Sequence, residues 1–280
     1  MKLSIVIITY NALRFLKPCL ESLRDMLNTS DAELILTDNG SSDGTLHYVK
    51  QAFPQAKIIE LDKNRGVTYA RNRGIDKADG EYILLLDSDT IANCEAIDGM
   101  IDYMDNSPDV GICGCRLVSQ DNEIQDSFKK FPSIAYKANN LLISLAGKLR
   151  LKGCGRWLKK QNERYTYGDP SLIESPFSPD YLIGACQMIR KETINEIGQL
   201  DEVIFYGPED ADFCIRAGEA GWKIVYLPQF SIIHYWQRST NKKIFSSLTV
   251  EHIKALFYFY RKYGYTGKSI KRGNIRGGKG

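Results

Sequence analysis

Residues 84–90 read LLLDSDT. Three leucines run straight into Asp87-Ser88-Asp89. In an extended strand, residues i and i+2 point to the same side, so both carboxylates face one site. Two negative charges that close repel unless a divalent cation or shared protons neutralise them. The same letters also suit a solvated loop that caps a helix. The surrounding sequence decides between the two readings, and with them the fold.

Upstream, LSIVIITY, AELILTDN and AKIIELD are short apolar runs of buried-strand character. Helical patterns separate them. Asn11 is placed to cap a helix carrying Leu13, Leu16, Leu20, Leu23 and Leu27, with Pro18 near its start. SSDGTLHYVKQAF and GVTYARNRGIDKA give the next two helices, and Glu95 to Met104 another before the strand VGICGCRLV. EYILLLDSD is thus the fourth strand of an alternating series. The pattern predicts an α/β fold of three layers, with helices on both faces of a mainly parallel, Rossmann-like sheet. Ligands of such sheets sit beyond the carboxyl ends of the strands. Those ends carry Thr9-Tyr10-Asn11, Asp38-Asn39, the DKNRG turn with Asn64, and Asp87-Ser88-Asp89. Their convergence on one edge favours a site over a loop.

The alternation lapses between about Ser119 and Asp180. From Lys129 to Arg164 there are ten Lys/Arg against one acid, and LLISLAGKLRL is edged by Lys148, Arg150 and Lys152. YLIGACQMIR resumes as a strand. GPEDADFCIRAGEAGW reads as a helix opened by Pro208 and acids, which suit a helix N-terminus. KIVYLPQ is the last strand, followed by FSIIHYWQRST. The stretch from Val250 is an aromatic, basic helix with a disordered end; from Arg261 onward there are seven Lys/Arg and no acid. Net charge is only +3, so the basic character is local. It suits an anionic or interfacial membrane surface, or equally solvated lysines beside a dimer interface. Nucleic acid is not expected, because no recognition motif accompanies the charge.

Seven cysteines, odd in number and without a C-x-x-C pair, predict a reducing compartment and no structural zinc. The N-terminal apolar run is too short for a signal peptide, and no run reaches the 18 apolar residues a membrane span needs. A cytoplasmic protein, peripheral at most on the membrane's inner face, is the expectation. The turn after the first strand, Thr-Tyr-Asn-Ala-Leu, lacks the G-x-G-x-x-G of a nicotinamide site and excludes that class. LLLDSDT also resembles the nucleophile motif of haloacid-dehalogenase-type phosphatases. That motif normally opens its fold, whereas here three strand–helix units precede it.

Five segments in order, SIVIITYNALRFLKPCLESL, ILTDNGSSDGT, NRGVTYARNRGI, LLLDSD and GPEDADFCIRAGEAGW, resemble the family 2 glycosyltransferases of the GT-A fold. The end of the pattern is most similar to bacterial rhamnosyltransferase-type members. The resemblance implies an inverting, metal-dependent transfer from a UDP- or dTDP-sugar, with dTDP-rhamnose one such donor. A glycan or polyprenyl-linked acceptor of cell-surface polysaccharide synthesis is implied with it. It divides the chain into a nucleotide-sugar half (1–118), an acceptor half with the basic insert and catalytic acid (119–245) and a C-terminal helix and tail (246–280).

The resemblance also assigns residues. Asp89 binds Mn²⁺ or Mg²⁺, with His234 completing the metal site. Asp87 binds ribose hydroxyls or a metal-bound water, with Ser88 beside it. Thr9, Tyr10, Asn64 and Arg71 line the nucleotide pocket, and Asp38 reads the base. Asp210 is the base that deprotonates the acceptor, Glu209 binds acceptor hydroxyls, and Gly184 and Ala185 allow close approach of the sugars. Other readings stay open: Asp38 as a turn cap, Arg71 as a surface arginine, the acids of EDAD as helix caps, and Trp236 on a sugar face or in an interface. Gln237 stands where the related pattern has Gly, which bears on the loop after His234. Asp212 is expected to be structural, and His47 and His252 to be unremarkable helix residues. A nucleotide-sugar binder without catalysis is the remaining alternative.

Overall fold

A computed structural model describes residues 1–29, 31–148, 152–235 and 247–264. The disordered end expected beyond 264, Trp236, Arg150 and the side chains of Lys148 and Lys152 lie outside the described residues. The chain opens with β1 (Leu3–Thr9), α1 (Leu13–Ser22), α2 (Arg24–Thr29), β2 (Ala32–Asp38), α3 (Thr45–Ala52), β3 (Lys57–Glu60) and α4 (Val67–Ile75). Then come β4 (Tyr82–Asp87), β5 (Thr90–Ile91), α5 (Cys94–Asp105) and β6 (Val110–Val118). The middle holds β7 (Phe128–Lys129), α6 (Ile134–Lys148), α7 (Lys152–Asn162) and β8 (Tyr181–Leu182). The last part is β9 (Cys186–Arg190), α8 (Lys191–Ile197), α9 (Glu209–Glu219), β10 (Lys223–His234) and α10 (Ser247–Tyr263).

The main sheet has eight strands in the order β3-β2-β1-β4-β9-β6-β10-β5. Pairing is parallel from β3 to β4 and between β6 and β10, while β9 and β5 run antiparallel to their neighbours. Alternation along the strands makes two cores. Ile5 and Ile7 face Leu16, Leu20 and Met100, whereas Val6, Ile83 and Leu85 face Ile75, Phe213 and Phe259. The three layers expected from the sequence follow from this period of two. Each fully buried leucine, such as Leu16 or Leu20, contributes roughly 1.5–3 kcal/mol over an exposed one.

Several local expectations are corrected. The leucine-rich stretch is two helices broken at Leu23, and Pro18 sits inside α1. Asn11 does not cap α1. It adopts φ 48°, and Asp43 reaches across from the next loop to accept from the Leu13 amide at 2.9 Å. Asn11 Oδ1 instead accepts from the Ser42 amide at 2.8 Å. The DNGSSDG loop is thereby stapled to the Thr-Tyr-Asn loop. Gly40 is required in that loop, because a Cβ there would meet the Lys63 backbone at 2.7 Å. YLIGACQMIR is two strands, β8 and β9, with a break at residues 183–185. KIVYLPQFSIIH is one long strand with a register shift between Leu227 and Ser231, where Pro228 is tolerated.

Candidate active site

A cleft of about 540 Å³ opens at the carboxyl ends of β1 and β4. Thr9, Tyr10, Asn64, Arg71, Asp87, Ser88, Asp89, Gly184, Ala185, Glu209, Asp210 and His234 all line it, drawn from segments far apart in sequence. On its nucleotide side, Tyr10 is 49% exposed above the buried Thr9, whose Oγ1 has no partner. Asn39 braces this wall. Its amide donates to the Thr9 carbonyl at 2.8 Å, and its Nδ2 donates to Asn64 Oδ1 and the Gly66 carbonyl at 3.1 Å each. Asp38 lies beneath the wall rather than on it. It is buried, Oδ2 accepts from the Ser41 amide at 2.9 Å, and Oδ1 has no partner. Oδ2 therefore caps the turn, with one acceptor oxygen left over.

The D-x-D turn leads directly into β5, which pairs antiparallel with the end of β10 so that Thr90 stands opposite His234. This register brings the acids to the histidine. The Tyr235 amide donates to the Asp89 carbonyl at 2.9 Å, and His234 Nε2 lies 3.5 Å from Asp89 Oδ1. Asp87, Asp89 and His234 each present one ligand atom, all within 4.8 Å of one another. Two hard carboxylates and an imidazole fit a divalent cation such as Mn²⁺. Asp87 thus stands with Asp89 and His234 in one cluster.

Gln125 holds the histidine. Its Nε2 donates to the His234 carbonyl at 2.8 Å, which turns its Oε1 toward Nδ1 at 2.9 Å. A carbonyl only accepts, so the amide orientation is fixed and Nδ1 carries the hydrogen. In the neutral ring the Nε2 lone pair then faces Asp89, as a metal ligand requires. Burial lowers the His234 pKa, but the Asp89 contact and the Asp87 and Asp89 charges outweigh it and hold it above its usual value. Burial and the Asp89 charge push the Asp87 carboxyl up, against the pull of Arg71.

Arg71 is not a surface arginine; it is 4% exposed. Nη2 donates to Asp87 Oδ1 and to the Gly184 carbonyl at 2.7 Å each, and Nη1 lies 3.4 Å from Glu209 Oε1. One guanidinium therefore ties the D-x-D turn to the acidic start of α9. The Gly184 amide points to Asp210 Oδ2 at 3.3 Å, and the Ala211 amide donates to Oδ1 at 2.8 Å. The Ala185 carbonyl accepts from the Asp87 amide at 3.0 Å. Burial raises the Asp210 pKa against these backbone hydrogen bonds. Burial and the Asp210 charge raise Glu209 to about 7, with Arg71 opposing. Glu209 Oε2 is buried without a partner. Asp212 is structural as expected: it accepts from Arg216 Nε at 2.9 Å and from Lys262 Nζ and Tyr263 OH at 2.7 Å each.

Sequence reasoning missed Gln125, the bracing role of Asn39, and the contribution of α10. His252 is not the unremarkable residue expected; with Leu248 and Leu256 it lines the cleft beside Tyr206. No local pattern marks these residues, because each acts across a long sequence separation.

The family model described as Glycosyl transferase family 2 matches residues 4–198. An N-acetylglucosaminyl-diphospho-decaprenol L-rhamnosyltransferase of Mycobacterium tuberculosis is 23% identical over 98% of this chain and 89% of its own. Rhamnosyltransferase WbbL of Escherichia coli is 23% identical over 96% of each. Among solved structures, mannosyltransferase PcManGT from Pyrobaculum calidifontis, in complex with GDP-Man and Mn²⁺, aligns with a TM-score of 0.57 at 15% identity. That alignment covers 85% of this chain and 58% of that one. S. aureus TarS 1-349 aligns at 0.56 with 19% identity, over 84% of this chain and 60% of that one. These likenesses show the GT-A fold, and the chain spans less than two thirds of the length of the solved chains.

Proposed function

Because the chain belongs to glycosyltransferase family 2, we propose that it is a metal-dependent, inverting hexosyltransferase working from a UDP- or dTDP-sugar. Rhamnose is the proposed sugar, since two relatives matched along nearly the whole chain are rhamnosyltransferases. The proposed acceptor is a lipid-linked glycan of cell-surface polysaccharide synthesis, met at the cytoplasmic face of the membrane. Peripheral contact is proposed; no helix among the described residues is long and apolar enough to cross a membrane. In this reading residues 1–118 serve the donor, 119–245 the acceptor, and 246–280 the C-terminal helix and tail.

One observation carries the reading: the Asp87–Asp89–His234 cluster and the Asp210 carboxylate line a single cleft, joined through Arg71 and Gly184. Asp89 and His234, with Asp87, would hold the cation. A divalent cation held there would supply stabilisation of the negative charge that gathers on a diphosphate leaving group. Thr9, Tyr10, Asn64 and Ser88 form the nucleotide wall, and the spare oxygen of Asp38 is the proposed reader of the base. Asp210 accepts the proton of the acceptor hydroxyl as its oxygen attacks the anomeric carbon and the sugar–diphosphate bond breaks on the opposite side. The burial that raises its pKa suits it to general-base work. The unpartnered Glu209 Oε2 receives an acceptor hydroxyl, and Gly184 and Ala185 leave room for the sugars. Trp236 remains a proposed sugar-stacking residue.

A panel of UDP-, dTDP- and GDP-sugars with Mn²⁺ or Mg²⁺ tests the assignment. One donor should bind in a metal-dependent way, and Asp89→Ala should weaken that binding by about 100-fold or more. Asp210→Asn should keep donor affinity while turnover falls by roughly 10²–10⁴. Absence of nucleotide binding with either metal, with phosphate released from simple esters instead, would return the phosphatase reading. Full turnover by Asp210→Asn would remove Asp210 as the base, and binding without turnover in the wild type would favour the non-catalytic binder.

A further inference from the structure

Helix α10 presents three faces. One is packed: Ala255, Phe259 and Tyr260 are buried, while Lys262 and Tyr263 fasten the helix to Asp212 of α9. The second carries Leu248, His252 and Leu256 into the wall of the catalytic cleft. The third holds Val250, Ile253 and Phe257, with exposures of 49%, 60% and 61%. Their i, i+3, i+7 spacing makes one continuous stripe. Exposed Lys254, which pairs with Glu251, and exposed Arg261 edge it. Among the described residues, three of the ten exposed large hydrophobic side chains stand on this one stripe, whereas exposed apolar residues are ordinarily scattered.

We propose that this face of α10 is a docking surface for an anionic lipid bilayer. Charge selects that occupant. From Arg261 onward the sequence has seven Lys/Arg and no acid, so the stripe leads into a cationic segment complementary to anionic headgroups. A second copy seated on the stripe would bring two such segments together, and their repulsion disfavours it. Three partly exposed apolar side chains bind a bilayer only weakly, and each basic residue near an anionic surface adds roughly five-fold in affinity. The two contributions together give reversible, salt-sensitive association.

The placement has a functional consequence. Because another face of the same helix lines the cleft, docking holds the cleft at the membrane surface. An acceptor whose lipid stays in the bilayer could then reach Asp210. That consequence rests on the lipid-linked acceptor proposed above; the docking itself does not.

The test uses the full chain and extruded vesicles of phosphatidylcholine, with or without phosphatidylglycerol. The wild type should co-sediment with anionic vesicles, less with neutral ones, and lose binding as salt rises. Ile253→Asp/Phe257→Asp should weaken vesicle binding at least ten-fold. Its thermal midpoint and nucleotide affinity should match the wild type, since both side chains are exposed and outside the donor site. The proposal fails if the wild type ignores anionic vesicles at low salt, or if the variant binds them equally well. It fails also if the wild type is a dimer that the variant makes monomeric, which would assign the stripe to a second copy. A wild type that binds anionic vesicles but no nucleotide would sink the transferase reading alone.

Discussion

At the scale of single residues, the acids and the histidine of the cleft act only as their neighbours hold them. An apolar strand ending in D-x-D fixes where Asp87 and Asp89 point, and a helix opening with EDAD fixes Glu209 and Asp210. Gln125 had no such signal. It follows a short fold-back in which its amide donates to the Leu117 carbonyl at 2.9 Å, and only the end of β10 gives it meaning. Its two hydrogen bonds to residue 234 predict a measurable role in metal affinity. Gln125→Leu frees the ring and its tautomer, and should weaken Mn²⁺ binding by about 10- to 100-fold. Gln125→Glu keeps an acceptor for Nδ1–H and should retain most of the affinity. Free Mn²⁺ followed by electron paramagnetic resonance measures both without turnover; equal affinities in all three proteins would make Gln125 merely a packing residue.

At the scale of elements, strands β1, β2, β3, β4 and β6 and helices α3, α4 and α5 could be read from the sequence pattern. The breaks were harder. YLIGACQMIR is uniformly apolar around Gly184, so nothing in its period marks the turn at 183–185. That turn exists because its backbone is engaged sideways: the Gly184 carbonyl takes Arg71, the Gly184 amide meets Asp210, and the Ala185 carbonyl takes the Asp87 amide. Donor and acceptor residues are thus registered by one short piece of main chain. A Cβ on Gly184 would stand 2.5 Å from Arg71 Nη1. Gly184→Ala must therefore displace the guanidinium from Asp87. We expect kcat/KM for the donor to fall at least ten-fold, since small misplacements at a reacting centre cost about 10²-fold. The stability cost should stay near 1–3 kcal/mol, because a flexible side chain can move away. Unchanged kinetics would show that the Arg71 bridge is dispensable.

At the scale of the whole molecule, the sequence announced two layers of helix around a sheet, but not that the C-terminal helix closes one of them. Phe259 and Tyr260 complete the core on the α4 and α9 side, and the same helix walls the cleft. Glu209, at the start of α9, is 6% exposed, and its burial makes the fold's stability depend on pH. Glu209 titrates near 7 when folded, against an ordinary value of 4.5. The folded state therefore holds this proton more tightly than the unfolded chain. Its contribution is fully favourable below 4.5 and is lost as pH rises through about 7. Above that the ionised carboxylate costs on the order of 3 kcal/mol. Glu209→Gln removes the titration while keeping the shape. The variant should melt on the order of 5 °C above the wild type at pH 8, and the gap should close at pH 4.5 or below. Its transferase activity should fall because the acceptor loses a charged hydrogen-bond partner, a trade of stability for function. Melting curves of both proteins across that pH range decide the matter. A gap that persists at low pH would place the strain in packing rather than in the buried charge.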